Sequence, residues 1–247
     1  MLFKDHFSAR SADYSAYRPT YPHALVDYLA GLCQTSDCAL DVGCGTGQLS
    51  VLLANRFSRV IATDASAQQI EQAEAHERVR YRVAPAERSG LPDGSVDLIA
   101  AAQAAHWFDL PAFYGEARRV GRPGAILALI TYGVLQADSD IDPAVQHFYK
   151  HVVGPYWPPE RRHVEEGYRS FDFPFDELRA PPLAIEVHWR ASDLIGYADT
   201  WSAVRGAEKA LGREPIERFR QDLFEAWGDP EQQRTIRFPL SMRVGRL

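Results

Sequence analysis

The sequence predicts an α/β fold with a doubly wound, mostly parallel sheet of seven strands. Across the first 132 residues, short β-branched or apolar runs alternate with stretches of helical spacing, which is typical of βαβ units. A glycine-rich turn joins the first strand to the helix that follows it. The chain has 247 residues, 46% of them hydrophobic, which is enough for one sizeable core.

Five strands and four helices are predicted in this alternating part. The strands are expected at 39–43, 60–64, 81–84, 96–102 and 125–131, and the helices at 23–32, 48–57, 66–77 and 109–120. Ser66 is the expected N-cap of the third helix, with Gln69 three residues later as its capping-box partner. Asp109 is the expected cap of the fourth helix, which ends before the glycines and proline of 121–124.

The pattern is looser in the second half of the chain. Residues 133–182 are rich in proline and aromatic residues and predict one helix, about 143–153. We interpret them as a cap over the sheet, between strands five and six, within a single domain of residues 1–247. Strands are predicted at 183–190 and 235–244, and helices near 193–204 and 215–227. Pro239 indicates an edge or a bend in the last strand.

Charge and composition disfavour several kinds of partner. The formal net charge is −6, so nothing in the overall balance favours nucleic acid or an anionic membrane surface. No apolar run approaches the roughly 20 residues that span a bilayer. The three cysteines, Cys33, Cys38 and Cys44, are an odd and sparse set. They argue against a disulfide framework and predict no metal site, so the cytoplasm is the expected location.

The turn after the first strand contains Gly43, Gly45 and Gly47. Glycines let the backbone turn sharply here and let a ligand approach without a Cβ clash. A dinucleotide fingerprint would need a further glycine where Gln48 stands, and a P-loop would need a lysine that is missing. The sequence therefore predicts a ligand site at the carboxyl end of this strand, but of neither of these two types.

Two acids flank the turn. Asp41 precedes the glycines and could face a cationic group. Asp64 ends the second strand, where an acid can hydrogen-bond both hydroxyls of a ribose. The plain alternative is that Asp64 is a turn or helix-capping aspartate, since Ala65 and Ser66 follow it.

Five segments carry a family resemblance. LDVGCGTGQLS followed by VIATDAS resembles the first two motifs of class I methyltransferases that depend on S-adenosylmethionine (SAM). VAPAERSGLPDGSVDLIAAAQAAHWFD and RVGRPGAILALI resemble later segments of that family, and together the matches cover roughly residues 36–131. YSAYRPTYP, residues 14–22, resembles the YxxYRPxYP segment of methyltransferases similar to trans-aconitate methyltransferases, a group whose substrates are diverse.

The resemblance implies a Rossmann-like fold, SAM as cofactor, S-adenosyl-L-homocysteine as product, and a set of site residues. It implies that the three glycines form the floor under the methionine part and that Asp41 lies near its amino group. It implies that Asp64 binds the ribose hydroxyls. Further contacts are expected from Ala65, Ala86 and Glu87 at the adenine, from Gln103 near the methionine part, and from Tyr14 and Arg18 in a lid of residues 8–22. For Glu87, an ordinary surface glutamate is the alternative.

The acceptor side has fewer candidates. His106 follows strand four and is the best candidate for a general base, although it could instead structure its loop through a backbone hydrogen bond. Tyr21, Trp107, Trp157 and Trp201 are candidates for acceptor binding, with simple packing as the alternative. His147 and His151 share a helix face, but surface positions are favoured over a metal pair.

These observations predict a SAM-dependent methyltransferase that acts on a small molecule at oxygen, with a carboxylate as one candidate group. A carboxylate is already ionised at neutral pH and needs no base, whereas a hydroxyl or amine often does. C- or N-methylation of a metabolite and a non-catalytic SAM-binding regulator stay open as alternatives. A NAD-dependent oxidoreductase is disfavoured by the incomplete glycine fingerprint. The acceptor and the oligomeric state are not determined by the sequence.

Overall fold

The computed structural model describes residues 19–247, which contain one sheet of eight strands. The strands are β1 (Cys38–Val42), β2 (Arg59–Asp64), β3 (Val79–Val83), β4 (Val96–Ala102), β5 (Gly121–Tyr132), β6 (Asp176–Leu178), β7 (Ala184–Trp189) and β8 (Arg234–Arg246). Their order is β3-β2-β1-β4-β5-β8-β6, and β7 pairs with β8 beside this path. The pairs among β1 to β5 are parallel, and the three pairs with β8 are antiparallel. The predicted fold class is confirmed.

Helices cover both faces of this sheet. They are α1 (His23–Leu32), α2 (Gln48–Leu53), α3 (Ala67–Glu71), α4 (Leu110–Val120), α5 (Asp142–His147), α6 (Arg161–Glu165), α7 (Ala191–Asp199), α8 (Ser202–Leu211) and α9 (Glu214–Trp227). One face packs the apolar sides of α1, α2 and the C-terminal helices, and the other packs α4 together with part of 133–182. None of the helices in residues 19–247 is long and apolar enough to cross a membrane.

The two predicted helix caps are present. The Ser66 hydroxyl accepts the Gln69 N–H at 3.4 Å, and Asp109 Oδ1 accepts the Ala112 N–H at 3.3 Å. The capping box predicted with Gln69 does not form, because the Ser66 N–H donates to Asp64 Oδ1 at 2.8 Å. Pro111 lies in the first turn of α4, where its missing N–H is not needed. These side chains act on neighbouring residues, which is why local sequence was sufficient to predict them.

Several predicted boundaries were wrong. The third helix, expected to reach residue 77, ends at Glu71 because the Glu74 N–H donates to Thr46 O and draws this segment onto the glycine turn. The helix expected at 193–204 is two helices, α7 and α8, separated at Trp201, whose extended backbone lets its ring enter the core. Helix 143–153 continues past α5 as a π-helical turn, Phe148–Val152.

The sheet also differs in count and in its last strand. Eight strands replace the predicted seven, because three-residue β6 is too short for its own alternation pattern and forms only by pairing with the end of β8. Pro239 lies where β8 changes partners, from β7 to β5. The predicted bend at this proline is therefore a change of pairing within one strand.

Asp97 in β4 connects three elements at the amino ends of the strands. Its Oδ2 accepts the N–H groups of Asp37 and Cys38, each at 2.9 Å. Its Oδ1 accepts the Thr35 hydroxyl at 2.7 Å and Arg122 at 2.6 Å. Burial alone would raise the pKa of Asp97, but these hydrogen bonds and the Arg122 charge outweigh it, so the pKa is lowered.

We expect Asp97→Ala to lower the free energy of unfolding at pH 7 by about 3 kcal/mol, because Arg122, the buried Cys38 N–H and the part-buried Asp37 N–H lose their partner. Urea unfolding measures this. A carboxyl with a lowered folded-state pKa stabilises above its unfolded pKa and loses that contribution as pH falls through the folded value. The gap between wild type and variant should therefore shrink below about pH 4.

The control is Asp37→Ala, which removes an exposed carboxylate from the same Arg122 and should cost less than about 1 kcal/mol. Equal losses in the two variants would show that burial of Asp97 confers no special stabilisation.

Candidate active site

The glycine turn that follows β1 is pinned to the end of β2. The N–H groups of Gly43 and Cys44 both donate to Thr63 O, at 2.8 and 3.0 Å. Gly43, Gly45 and Gly47 have φ of +68°, +55° and +88°. This left-handed backbone strains any residue with a side chain, so the turn requires glycine for its shape alone.

The three glycines differ in what surrounds them. A Cβ at Gly43 would lie 2.5 Å from the Ala104 Cβ, and one at Gly47 would collide with the Tyr81 ring. A Cβ at Gly45 would meet nothing closer than Gln69 Oε1 at 3.7 Å. Packing within the protein therefore accounts for Gly43 and Gly47, whereas the space beside Gly45 is open, and its predicted contact with a ligand stays a prediction.

Asp64 connects the glycine turn to the start of α3. Its Oδ2 accepts the Gly45 N–H at 2.9 Å, and its Oδ1 accepts the Ser66 N–H at 2.8 Å. Ala65, beside it, is exposed. Gln69 is buried near Gly45 and was missed as a site candidate, because its capping-box position already explained it.

Asp41 is a buried carboxyl in the same turn, 1% exposed. Burial raises its pKa to about 7, with the Ser50 hydrogen bond lowering it and the Asp64 charge raising it. The Ser50 hydroxyl donates to Asp41 Oδ2 at 2.6 Å. A cation placed beside this carboxyl would favour its ionised form, as the predicted contact with an amino group requires.

The expected adenine side is formed by the segment after β3. The Ala84 N–H donates to Asp64 O at 2.9 Å, which holds this segment against the end of β2. Ala86 is half-buried there, and Glu87 Oε1 accepts the Asp109 N–H at 2.9 Å. The carboxylate of Glu87 therefore fixes this segment to the start of α4 and is more than an ordinary surface acid.

His106 lies in a 3-10 turn, Ala105–Trp107, just beyond β4. Its Nδ1 is 3.0 Å from the Tyr168 hydroxyl oxygen. Burial raises the pKa of the Tyr168 phenol, and hydrogen bonding with Thr131 partly opposes the rise. Tyr168 was missed, since it follows α6 in an irregular segment and reaches His106 only through the tertiary fold.

Gln103 lies just after β4, and both polar atoms of its side-chain amide hydrogen-bond to β5. Its Nε2 donates to Tyr132 O at 2.9 Å, and its Oε1 accepts the Thr131 hydroxyl at 2.7 Å. These contacts make it part of the wall between the two strand ends. Its predicted contact with the methionine part of the cofactor stays a prediction.

Two of the four acceptor-side candidates come together. Trp157 and Trp201 have ring centroids 5.9 Å apart, and Tyr149 lies 5.2 Å from Trp157. Tyr21 is instead buried against Tyr132, with centroids 6.3 Å apart. Trp107 is 37% exposed, with its ring 4.8 Å from that of His106.

Some candidates fall elsewhere. Tyr14 and Arg18, with most of the predicted lid 8–22, lie outside the described residues. His147 and His151 have exposed rings 5.4 Å apart. No group of three residues able to hold a metal ion occurs in the described part of the chain.

Comparisons with known proteins agree with this geometry. A family model described as a methyltransferase domain matches residues 40–129. A protein of Dictyostelium discoideum described as a methyltransferase is 35% identical, and the match covers 91% of this chain and 87% of that protein. A solved structure described as a type II methyltransferase, from Anaeromyxobacter dehalogenans, is 48% identical with a TM-score of 0.90. That match covers 93% of this chain and 98% of the other.

The chain therefore belongs to the class I SAM-dependent methyltransferases, and it is an enzyme that uses SAM. The described residues fit this cofactor, because the open side of Gly45, the Asp64 carboxylate and the buried acid Asp41 converge at the ends of β1 and β2. When bound, SAM supplies an electrophilic methyl group on a sulfonium. The chain's residues bind it, orient it and exclude water.

Gly45→Ala tests whether the open side of the turn admits the cofactor. We expect S-adenosyl-L-homocysteine to bind at least about tenfold more weakly, a loss of roughly 1.4 kcal/mol, because the methyl group occupies ligand space. Gly94→Ala is the matched control, with the same φ of +55° and open space around its Cβ position. Both variants should lose about 1–2 kcal/mol of stability from backbone strain. Equal affinities in calorimetric titration would place the ligand away from Gly45.

Asp41 makes cofactor binding pH-dependent. With a pKa of about 7, Asp41 is mostly protonated at pH 6 and ionised at pH 8 in the free protein. If the amino group binds the ionised form, SAM affinity should be about tenfold lower at pH 6 than at pH 8.

Calorimetry at pH 6 in buffers of different ionisation enthalpy should then show a proton released on binding. Asp41→Asn should abolish this release. Release that persists in Asp41→Asn would assign the proton to another group.

Proposed function

We propose that the enzyme transfers the methyl group to an oxygen of a small-molecule acceptor that carries a carboxylate. Arg161, in α6, is the observation that supports this proposal. Its Nε donates to the Tyr149 hydroxyl at 2.8 Å, and its Cζ lies 4.7 Å above the Trp157 ring. Within residues 19–247, it has no ion pair, and its terminal amino groups have no hydrogen-bond partner.

The surroundings of Arg161 suit an anion with an apolar body. Trp157, Trp201 and Tyr149 offer ring faces, and Trp157 Nε1 is a buried donor without a partner in the described residues. A guanidinium that lies over an indole can present its remaining N–H groups as a fork that matches a carboxylate. A buried donor without a partner costs free energy, so an acceptor that hydrogen-bonds Trp157 Nε1 would remove this cost.

The position of Arg161 also supports an acceptor role. Burial raises the pKa of the Tyr168 phenol, and the charge of Arg161 partly opposes this rise, so Arg161 lies within electrostatic range of the phenol that contacts His106. An anion bound by Arg161 would therefore lie near the candidate base. The predicted cap, 133–182, supplies Tyr149, Trp157 and Arg161, and we propose that it forms the acceptor wall of a single domain.

The reacting oxygen of the acceptor can belong to a carboxylate or to a hydroxyl. A carboxylate oxygen is ionised at neutral pH and can react without a base. A hydroxyl would use His106. C- or N-methylation and a purely regulatory role are the alternatives that the experiment below separates. We further propose a reducing compartment, the cytoplasm, since Cys33, Cys38 and Cys44 are all free thiols.

The test uses methyl-labelled SAM and small metabolites fractionated by anion exchange. We expect a labelled product in an anionic fraction, identified by mass spectrometry. Mild alkali releases the label from a methyl ester and leaves it on a methyl ether. Label bound to carbon or nitrogen would overturn the proposal, and tight cofactor binding without any labelled product would support the regulatory alternative.

Arg161→Met should raise the KM for that acceptor at least about tenfold, since a charged hydrogen bond contributes about 1.5–3 kcal/mol. The matched control is Arg162→Met, an exposed arginine on the same helix. An unchanged KM in Arg161→Met would remove Arg161 from acceptor binding.

A further inference from the structure

Gln69, in α3, has a side-chain amide with no hydrogen-bond partner within residues 19–247. The predicted capping box would have used this amide to accept the Ser66 N–H. Asp64 Oδ1 accepts that N–H instead, at 2.8 Å, and only the backbone N–H of Gln69 takes part in the cap. Asp64 therefore leaves the Gln69 amide available for another partner.

This amide lies beside the open side of the glycine turn. Gln69 is 7% exposed, and its Oε1 is the nearest atom, beyond the chain neighbours, to the place where a Gly45 Cβ would stand, 3.7 Å away. Both polar atoms of the amide keep a small exposed area, since neither is among the fully enclosed side-chain atoms without a partner. The Gly45 N–H donates to Asp64 Oδ2 at 2.9 Å. The Gln69 amide and the Asp64 carboxylate therefore both adjoin Gly45.

The unused amide of Gln69 lowers the stability of the ligand-free protein. A nearly buried amide without a partner has lost hydrogen bonds to water and gained none in the protein. A methionine would fill similar space without that cost. A glutamine amide also offers two donor hydrogens and one acceptor oxygen. Gln69 thus has the hydrogen-bonding capacity for a polar ligand group beside Gly45, and the predicted ligand of this turn is SAM.

We propose that Gln69 binds the cofactor by donating from Nε2 to a hydroxyl of its ribose. Asp64 is the predicted partner of the ribose hydroxyls, and an ionised carboxylate can only accept. A hydroxyl that gives its single proton to Asp64 keeps lone pairs for a second neighbour, and the amide beside the same Gly45 has unused N–H donors. No protein hydrogen bond fixes which end of this amide faces Gly45, so rotation of the amide presents Nε2.

The competing partner for Gln69 is the amino group of the cofactor. An ammonium would use Oε1 as an acceptor and leave Nε2 idle, whereas a hydroxyl bound to Asp64 needs the donor. Asp41, a buried carboxyl in β1, is already the predicted partner of the amino group. Gln69→Glu separates the two cases, because a carboxylate at residue 69 lacks the donor that a hydroxyl needs and attracts an ammonium.

Calorimetric titration with S-adenosyl-L-homocysteine and its 2′-deoxy and 3′-deoxy analogues tests the proposal. We expect Gln69→Met to bind S-adenosyl-L-homocysteine about tenfold more weakly than wild type, because one hydrogen bond is lost. The difference from wild type should vanish for one of the two deoxy analogues, which lacks the hydroxyl that Gln69 binds. Gln69→Glu should also bind more weakly. The matched control is Gln72→Met, an exposed glutamine just after α3, which should keep wild-type affinity.

Urea unfolding without ligand separates this binding role from a structural one. Because the amide has no partner in the described protein, Gln69→Met should keep or raise the free energy of unfolding. Unchanged affinity in Gln69→Met would overturn the inference. So would an equal loss of affinity for S-adenosyl-L-homocysteine and both deoxy analogues, or tighter binding by Gln69→Glu. These measurements contain no methyl acceptor, so their outcome is independent of the proposed function.

Discussion

The two hydrogen bonds that Gly43 and Cys44 donate to Thr63 O constrain the whole cofactor site. They bring the left-handed turn after β1 onto the end of β2, and Asp64 completes the connection by accepting the Gly45 N–H. The segment after β3 joins through the Ala84 N–H on Asp64 O. Three strand ends are thereby fixed around one open space, which a side chain at Gly45 would fill.

Several features around these strand ends lower the stability of the folded protein. Asp41 is a buried carboxyl whose ionised form is disfavoured in the free protein, and the Thr63 hydroxyl is buried with no partner among residues 19–247. Gln103 and Tyr168 hold strained backbone. Each feature costs stability. Their concentration around the ends of β1, β2, β4 and β5 is consistent with a site shaped for ligands.

The two halves of the site have different structural origins. The cofactor half comes from short connections between consecutive elements, where a few neighbouring residues determine the backbone. The proposed acceptor half comes from residues 133–182, which bring Tyr168 to His106 just beyond β4. Such an arrangement lets the acceptor side vary while the cofactor side is kept.

The sequence by itself determined the alternation of strands and helices, the glycine turn, the paired acids and the caps at Ser66 and Asp109. Each depends on residues within one turn or one strand–helix connection, so local pattern was sufficient. Only the tertiary structure decided that Gly43 and Gly47 are constrained by packing, that β6 exists and that Trp201 interrupts a helix. It alone joined His106 to Tyr168, 62 residues later, and placed Arg161 over the Trp157 ring with no ion-pair partner among residues 19–247. These contacts connect distant segments through packing, and local sequence patterns do not encode which distant side chains will meet.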